Sequence, residues 1–252
     1  MSDYDRNVAA RGFGAAGTAA IDAGLRAYMI RIYNYMAAGV ALTGVTAWLT
    51  FNAAVITDAS GKITGLTSFG QAIFSGPLTI VLFLGTLGIV FFLSFRINKL
   101  QAGTAMMLFM LYAGLLGLML SSVFLSYTGA SITRTFFISA ASFGALSLYG
   151  YTTQRDLSPI GSFLIMGLFG LIIAMLVNIF LKSSGLEFAI SAIGVLIFAG
   201  LTAWDTQKIK EMYDANDDGT VSGRKAVMGA LTLYLDFINL FLFMLRFLGD
   251  RR

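Results

Sequence analysis

The sequence predicts an all-α fold, an integral membrane bundle of seven transmembrane helices, on three observations. Hydrophobic residues make up 57% of the chain and charged residues only 12%, against roughly a quarter charged in soluble domains. Mean hydropathy is +0.79. The charges gather at intervals, and many uncharged stretches between them reach the ~20 residues a helix needs to cross hydrocarbon. Long continuous apolar runs of this kind fit helices and not the short alternating strands of a barrel.

Taken in order, the opening stretch MSDYDRNVAARGFGAAGTAAIDAGLR mixes charges with small side chains and has no compact apolar run before a cleavage site. It predicts a flexible cytoplasmic tail over 1–25, not a signal peptide, ahead of a transmembrane domain over 26–252. Apolar runs place spans near 29–51, 76–96, 104–125, 134–152, 160–181, 188–207 and 227–247. After the first span, TDASGKITGLTSFGQAIFSGP carries Gly, Ser and Thr punctuation. That composition suits an exposed loop with a short interfacial helix at Phe69 to Phe74. Gly85/Gly88, Gly114/Gly117, Gly167/Gly170 and the run SAASFGALS from Ser139 to Ser147 put small residues inside spans, where they let helix backbones approach closely.

Loop charges set the expected orientation. Arg6, Arg11, Arg26 and Arg31 precede span one, Arg96 and Lys99 follow span two, and Arg155 follows span four. Lys208, Lys210, Arg224 and Lys225 lie between spans six and seven, so all of these fall on one face. Lys62, Arg134, Lys182, Arg246, Arg251 and Arg252 fall on the other. The imbalance predicts a cytoplasmic N-terminus. The arginines after span seven leave open a re-entrant last segment that returns to the cytoplasm. The net charge of +4 is thus a topology signal, and no nucleic-acid partner is expected.

The chain has no Cys and no His, which excludes disulfides, thiolate chemistry and the usual metal ligand and neutral-pH switch. Any proton chemistry falls to carboxylates. Asp236 stands near the middle of LTLYLDFINLFLFMLRF, Leu231 to Phe247. It is about ten residues into span seven, roughly 15 Å deep. A charge at the bilayer centre costs ~2.5–3.5 kcal/mol on insertion scales, and neighbouring Leu233, Phe237 and Leu240 offer no compensation. Its partner is expected on another span. Asp205, in LTAWDTQKIKEMY, is the natural one, because the loop after span six returns the chain on the same face. Local pairing with Lys208, one turn onward, is the alternative for Asp205. By these boundaries Asp205 lies nearer the surface than Asp236, so a meeting needs tilt or a later start to span seven.

Arg96, in FFLSFRINKL, closes span two on that face as well. Two carboxylates close together in low dielectric do not comfortably both ionise, while a guanidinium can bond a carboxylate bidentately. Such a pair shares one proton and titrates as a unit. Asn239, three residues after Asp236, shares its face and can donate to the carboxylate or line a polar path. Arg246 is expected to snorkel to the outer interface.

Other chemistries fit less well. Intramembrane aspartyl proteases carry Gly-x-Gly-Asp and Pro-Ala-Leu motifs, but Tyr234 and Leu235 precede Asp236 and the only prolines are Pro77 and Pro159. A retinal protein needs a lysine in the last span to form its Schiff base, and span seven has none. DANDDGTVSGRK, Asp214 to Lys225, imitates the opening of an EF-hand with Asp214, Asn216, Asp218 and Gly219, yet its twelfth position is Lys225 where that motif needs a bidentate Glu. An acidic loop rich in Asx turns is the preferred reading. No Walker motif, dinucleotide fingerprint or nucleophile elbow occurs, and no enzymatic activity is expected.

WDTQKIKEMY (Trp204 to Tyr213), LYLDFINLFLFMLRF (Leu233 to Phe247) and DAGLRAYMIRIYNYMAAGVALTGVTAW near the start resemble the Bax inhibitor-1 family in its bacterial YccA-like branch. The resemblance runs from about Asp22 to the C-terminus. It implies seven helices with the last surrounded by the others, and a pH-sensitive calcium leak in a bacterial inner membrane with no cofactor. Asp205 and Asp236 would be its proton sensor and would hold permeant Ca²⁺ transiently, since two carboxylates are no full cage. Arg96, by its place on span two, would be the latch. Bacterial relatives are also associated with modulation of the membrane protease FtsH, which supplies the alternative function.

Overall fold

The computed structural model describes residues 3–59 and 62–251, with side chains described from Ala23 onward apart from Asn98. Helix α1 (Asp3–Ala54) is followed by an antiparallel hairpin, β1 (Val55–Thr57) with β2 (Ile63–Leu66), and by α2 (Ser68–Phe74). Next come α3 (Pro77–Arg96), a 3₁₀ turn at Ile97–Lys99, α4 (Ala102–Leu120), the single turn α5 (Val123–Ser126) and α6 (Gly129–Thr152). The chain closes with α7 (Ser158–Leu181), α8 (Ser184–Glu211) and α9 (Gly219–Leu248). The interfacial helix expected at Phe69 is α2. The hairpin before it had no sequence counterpart among the expectations. Most of the tail expected over 1–25 lies outside the residues whose side chains are described.

Local chemistry explains where the helices begin. The side-chain oxygens of Thr67, Thr128, Ser183 and Asp218 accept from the backbone N–H of Gly70, Ser131, Leu186 and Val221, capping α2, α6, α8 and α9. Pro77 and Pro159 stand in the first turns of α3 and α7, where a missing N–H is not needed. In the loop before α7, Asp156 Oδ1 accepts from Ser158 N at 2.8 Å. That bond holds the exposed Asp156 carboxyl below the usual carboxylate range. Its support for the turn is complete above the ordinary carboxylate pKa and fades as pH falls through the lowered one.

Among the described residues six segments qualify by length and hydropathy to cross a membrane: 23–54, 77–96, 102–126, 158–181, 184–211 and 219–248. The fourth expected span, 134–152, is the helix α6, which is not among the six; its buried stripe of Ser131, Thr135, Ser139, Phe143, Ser147 and Gly150 is rich in hydroxyls. α6 nevertheless joins both ends of the bundle. At the near end, Lys210 Nζ donates to Tyr151 O at 2.9 Å and Leu157 N donates to Gln207 Oε1 at 2.8 Å. At the far end, Thr128 N donates to Asp250 O at 3.2 Å, and Arg134 pairs with Asp250 at 2.8 Å. Arg251 also reaches Glu187 at the start of α8. α9 therefore runs unbroken from one end to the other, and the re-entrant alternative for the last segment is not what these residues form.

α9 is the core of the bundle. It packs against α1, α4, α6 and α8, and Leu233, Tyr234 and Leu240 on it are fully buried. α3 and α7 are peripheral, presenting Phe83, Phe91 and Phe95, and Phe163, Phe169 and Phe180, to the outside. In lipid that exposure is without penalty, and packing rather than water exclusion holds helices together. Tyr234 is one such contact: its hydroxyl lies 2.6 Å from Thr43 Oγ1, which donates in turn to Ala113 O at 2.9 Å. Tyr234→Phe removes the link from α9 to Thr43 of α1 and is expected to cost about 1 kcal/mol in a thermal or denaturant melt.

Small residues serve the packing at fewer places than the sequence suggested. A Cβ on Gly117 would collide with Thr46, and one on Gly150 with the Ala203 carbonyl. Gly85, Gly88, Gly114 and Gly170 face open space instead. A glycine pair signals that a close approach is allowed, not which face receives it.

Candidate functional site

A cavity of about 470 Å³ lies between α7, α8 and α9. Leu171, Phe198, Leu201 and Phe243 give it apolar walls, and its polar groups are Asp205, Thr232, Asp236, Asn239 and Arg246. Asp236 is only 5% exposed. Asp205, from α8, is half-buried, and its carboxyl comes within hydrogen-bonding range of the Asp236 carboxyl. The pair expected from the sequence is thus brought together.

The way their depths match differs from expectation. α9 starts at Gly219, ahead of the predicted boundary at 227, so its start is earlier and not later. Gly229, in its third turn, packs on Ile209 of α8. From that contact, four residues up α8 and seven up α9 reach Asp205 and Asp236, climbs of roughly 6 and 10 Å that the two side chains bridge.

Carboxylates only accept, so a hydrogen bond between the two exists only when one carries a proton. Asp236 Oδ2 is buried with no donor among the described residues. No basic side chain compensates the pair by contact. Lys208, the local alternative partner, lies over the Trp204 ring, 5.1 Å from its centroid, and forms no ion pair with Asp205 among the described residues. Arg96 is exposed at the end of α3, a helix that packs on α2 and α4. The Arg96 latch is therefore not formed in this structure. Its place along span two fixed its height and left its direction open.

Asn239 lines the cavity, but its amide nitrogen donates to Leu235 O at 2.8 Å, not to Asp236. Arg246 is exposed, sits over the Phe243 ring at 5.6 Å, and lines the cavity as well. Thr232 was overlooked in the sequence although it stands four residues before Asp236, on the same helix face. A second polar thread was also invisible there. Tyr33 Oη lies 2.6 Å from Ser147 Oγ, which lies 2.9 Å from Thr206 Oγ1, the neighbour of Asp205. Three helices contribute to it, and no local signal connects them.

The loop resembling an EF-hand uses its oxygens internally. Asp214 Oδ1 accepts from Asn216 N at 2.9 Å and Nδ2 at 3.1 Å, and Asp218 Oδ1 caps α9 through Val221 N at 2.7 Å. Lys225 Nζ lies 2.6 Å from Asp217 Oδ2, placing a cation where calcium chelation needs an anion. These are the Asx turns of a structural loop. Among the described residues no three acidic, His or Cys side chains converge to hold a metal.

Comparison with known proteins places this arrangement in context. The family profile described as inhibitor of apoptosis-promoting Bax1 matches residues 25–252. An uncharacterised protein of Rickettsia prowazekii is 53% identical over 92% of both chains. The inner membrane protein YbhL of Escherichia coli is 48% identical over 91% of this chain and 94% of its own. A Caulobacter vibrioides protein is 40% identical over the full length of both. With a buried helix ringed by apolar ones, a matched profile over almost the whole chain and relatives at this identity, the chain belongs to the Bax inhibitor-1 family of membrane proteins.

Proposed function

We propose that the protein is a pH-gated calcium leak of the bacterial inner membrane, crossing it seven times with its N-terminus in the cytoplasm. The observation that carries this reading is the pair Asp205 and Asp236 on the wall of one cavity, in no ion pair with a basic side chain among the described residues. The excess of basic residues at the near end supports the orientation.

A shared proton ties α8 to α9 by one hydrogen bond and cancels part of the charge that a cation would meet. Losing it leaves two like charges that repel each other and attract Ca²⁺. Cation occupancy of the cavity therefore rises with pH. Thr232, Asn239 and the free carboxylate oxygens supply weak oxygen contacts, suited to passage and not to storage. Arg96 has no part in this scheme as the helices stand.

The test is Ca²⁺ flux from dye-loaded proteoliposomes across pH, for wild type, Asp205→Asn and Asp236→Asn. Each substitution is expected to lower flux on the order of tenfold at high pH, given the strength of a charge in low dielectric, and to flatten the profile. Arg96→Gln is expected to leave both unchanged. Wild-type flux and profile in both aspartate variants would overturn the aspartate pair as the sensor, and no Ca²⁺ flux from wild-type proteoliposomes at any pH would overturn the leak. Partner contact, with FtsH as the candidate, would then be the reading to pursue.

A further inference from the structure

Three cavities follow one another along the gap between α1 and α6. The first, about 450 Å³, includes Arg26, Tyr33, Ser147 and Tyr151. The second, about 550 Å³, shares Phe143 with it, and the third, about 250 Å³, shares Val40, Gly44, Phe136 and Phe237 with the second. Together they make one groove. α1 and α6 are not closely packed there, and with Ala37, Ala41 and Gly44 on α1 and Ala140 and Gly144 on α6 no large side chain fills the gap from those positions. A hydrogen bond between Tyr33 and Ser147, 2.6 Å long, bridges the gap, and Phe237 of α9 floors it.

The charge in this groove is one-sided. Arg26 lines its near end, and Lys210 stands beside it, bonded to the carbonyl of Tyr151, which lines the same cavity. Among the described residues no Asp or Glu lines any of the three cavities. Among the described residues Arg26 forms no ion pair. A cation at the mouth and an apolar trough behind it match an anion attached to a hydrocarbon chain. Half of the ~30 Å hydrocarbon core is ~15 Å, or about ten residues of helix. That distance leads from Arg26 to Met36, a residue of the second cavity.

We infer that this groove binds one anionic phospholipid of the near leaflet, with its phosphate on Arg26 beside Lys210 and an acyl chain laid between α1 and α6 toward Phe143. The site is separate from the aspartate cavity on the other flank of α9, and its test does not depend on any flux. The Tyr33–Ser147–Thr206 thread nonetheless joins the groove wall to α8 beside Asp205.

Native mass spectrometry of the full-length, delipidated protein, titrated with dioleoyl phosphatidylglycerol or dioleoyl phosphatidylcholine, tests this. One phosphatidylglycerol is expected to be retained at about tenfold lower concentration than phosphatidylcholine, the discrimination one charge-assisted hydrogen bond supports. Arg26→Gln is expected to abolish the preference, while Arg31→Gln, an exposed arginine on the same helix outside the groove, keeps it. Ala37→Phe, at an exposed position where added bulk fills only the trough, is expected to reduce retention of both lipids. Equal retention of the two lipids by wild type, or a preference that survives Arg26→Gln, overturns the site. Displacement of phosphatidylglycerol by an equal concentration of oleate overturns the phospholipid in favour of a free fatty acid.

Discussion

Asp236→Leu is expected to raise the melting temperature of the protein while removing the pH response proposed for the carboxylate pair. Asp236 is buried, and its Oδ2 has no donor among the described residues. Most of its cavity is apolar, with Leu171, Phe198, Leu201 and Phe243 among the walls beside the polar Asp205, Thr232, Asn239 and Arg246, and leucine is close to aspartate in shape. Replacing buried charged groups with apolar residues of similar size is often neutral or stabilising by ~1–4 kcal/mol. At about 2–4 °C per kcal/mol for a chain of this size, the gain is measurable in a detergent or nanodisc melt. Asp205→Leu should gain less, since that side chain is only half-buried. A lower melting temperature for Asp236→Leu would show that the bond between the two carboxyls is a structural tie, and that stability does not oppose the site. A gain would mean the pair is kept at a cost in stability, as functional sites commonly are.

Gly150→Val is expected to be the most damaging single change among the small residues. The new Cβ would drive into the backbone carbonyl of Ala203, and a backbone cannot rotate aside as a side chain can. α6 and α8 are held on either side of that contact by Ser147 with Thr206 and by Tyr151 with Lys210. Separating the helices therefore breaks both bonds. Overpacking of this kind typically costs ~1–3 kcal/mol, occasionally more, and the lost bonds add to it. Gly170→Val, where a Cβ meets nothing within 4 Å, is the matched control and should change stability by less than ~0.5 kcal/mol. Comparable melts for the two variants would mean that α6 is free to shift on α8.

The membrane-crossing helices were legible in the sequence because hydrocarbon admits few alternatives to a helix and demands a minimum length. α6 was legible through its flanks and length even though Ser131, Thr135 and Ser139 lower its hydropathy. Asp236 stood out for the same reason: a charge at that depth has to be met by something, and the connecting loop restricted the choice to Asp205. Direction around a helix was not legible. Arg96 ends span two as a latch would and stands exposed, while Gly85, Gly88 and Gly114 have the composition of an interface and meet no neighbour. The thread from Tyr33 through Ser147 to Thr206 depends on such rotations in three helices at once. The hairpin at Val55–Leu66 was hidden because strands of three and four residues are too short to show alternation.

The central position of α9 bears on how the protein is made. Every helix that surrounds it leaves the ribosome first, so α1, α4, α6 and α8 wait in the bilayer around an interior that is still vacant. Until residues 219–248 arrive, Thr43 and Asp205 lack their partners Tyr234 and Asp236, and the earlier helices can pair wrongly or with other chains. Translation that stops before Gly219 should yield inserted fragments that quality-control proteases clear, whereas supplying residues 219–252 as a separate polypeptide should rescue them.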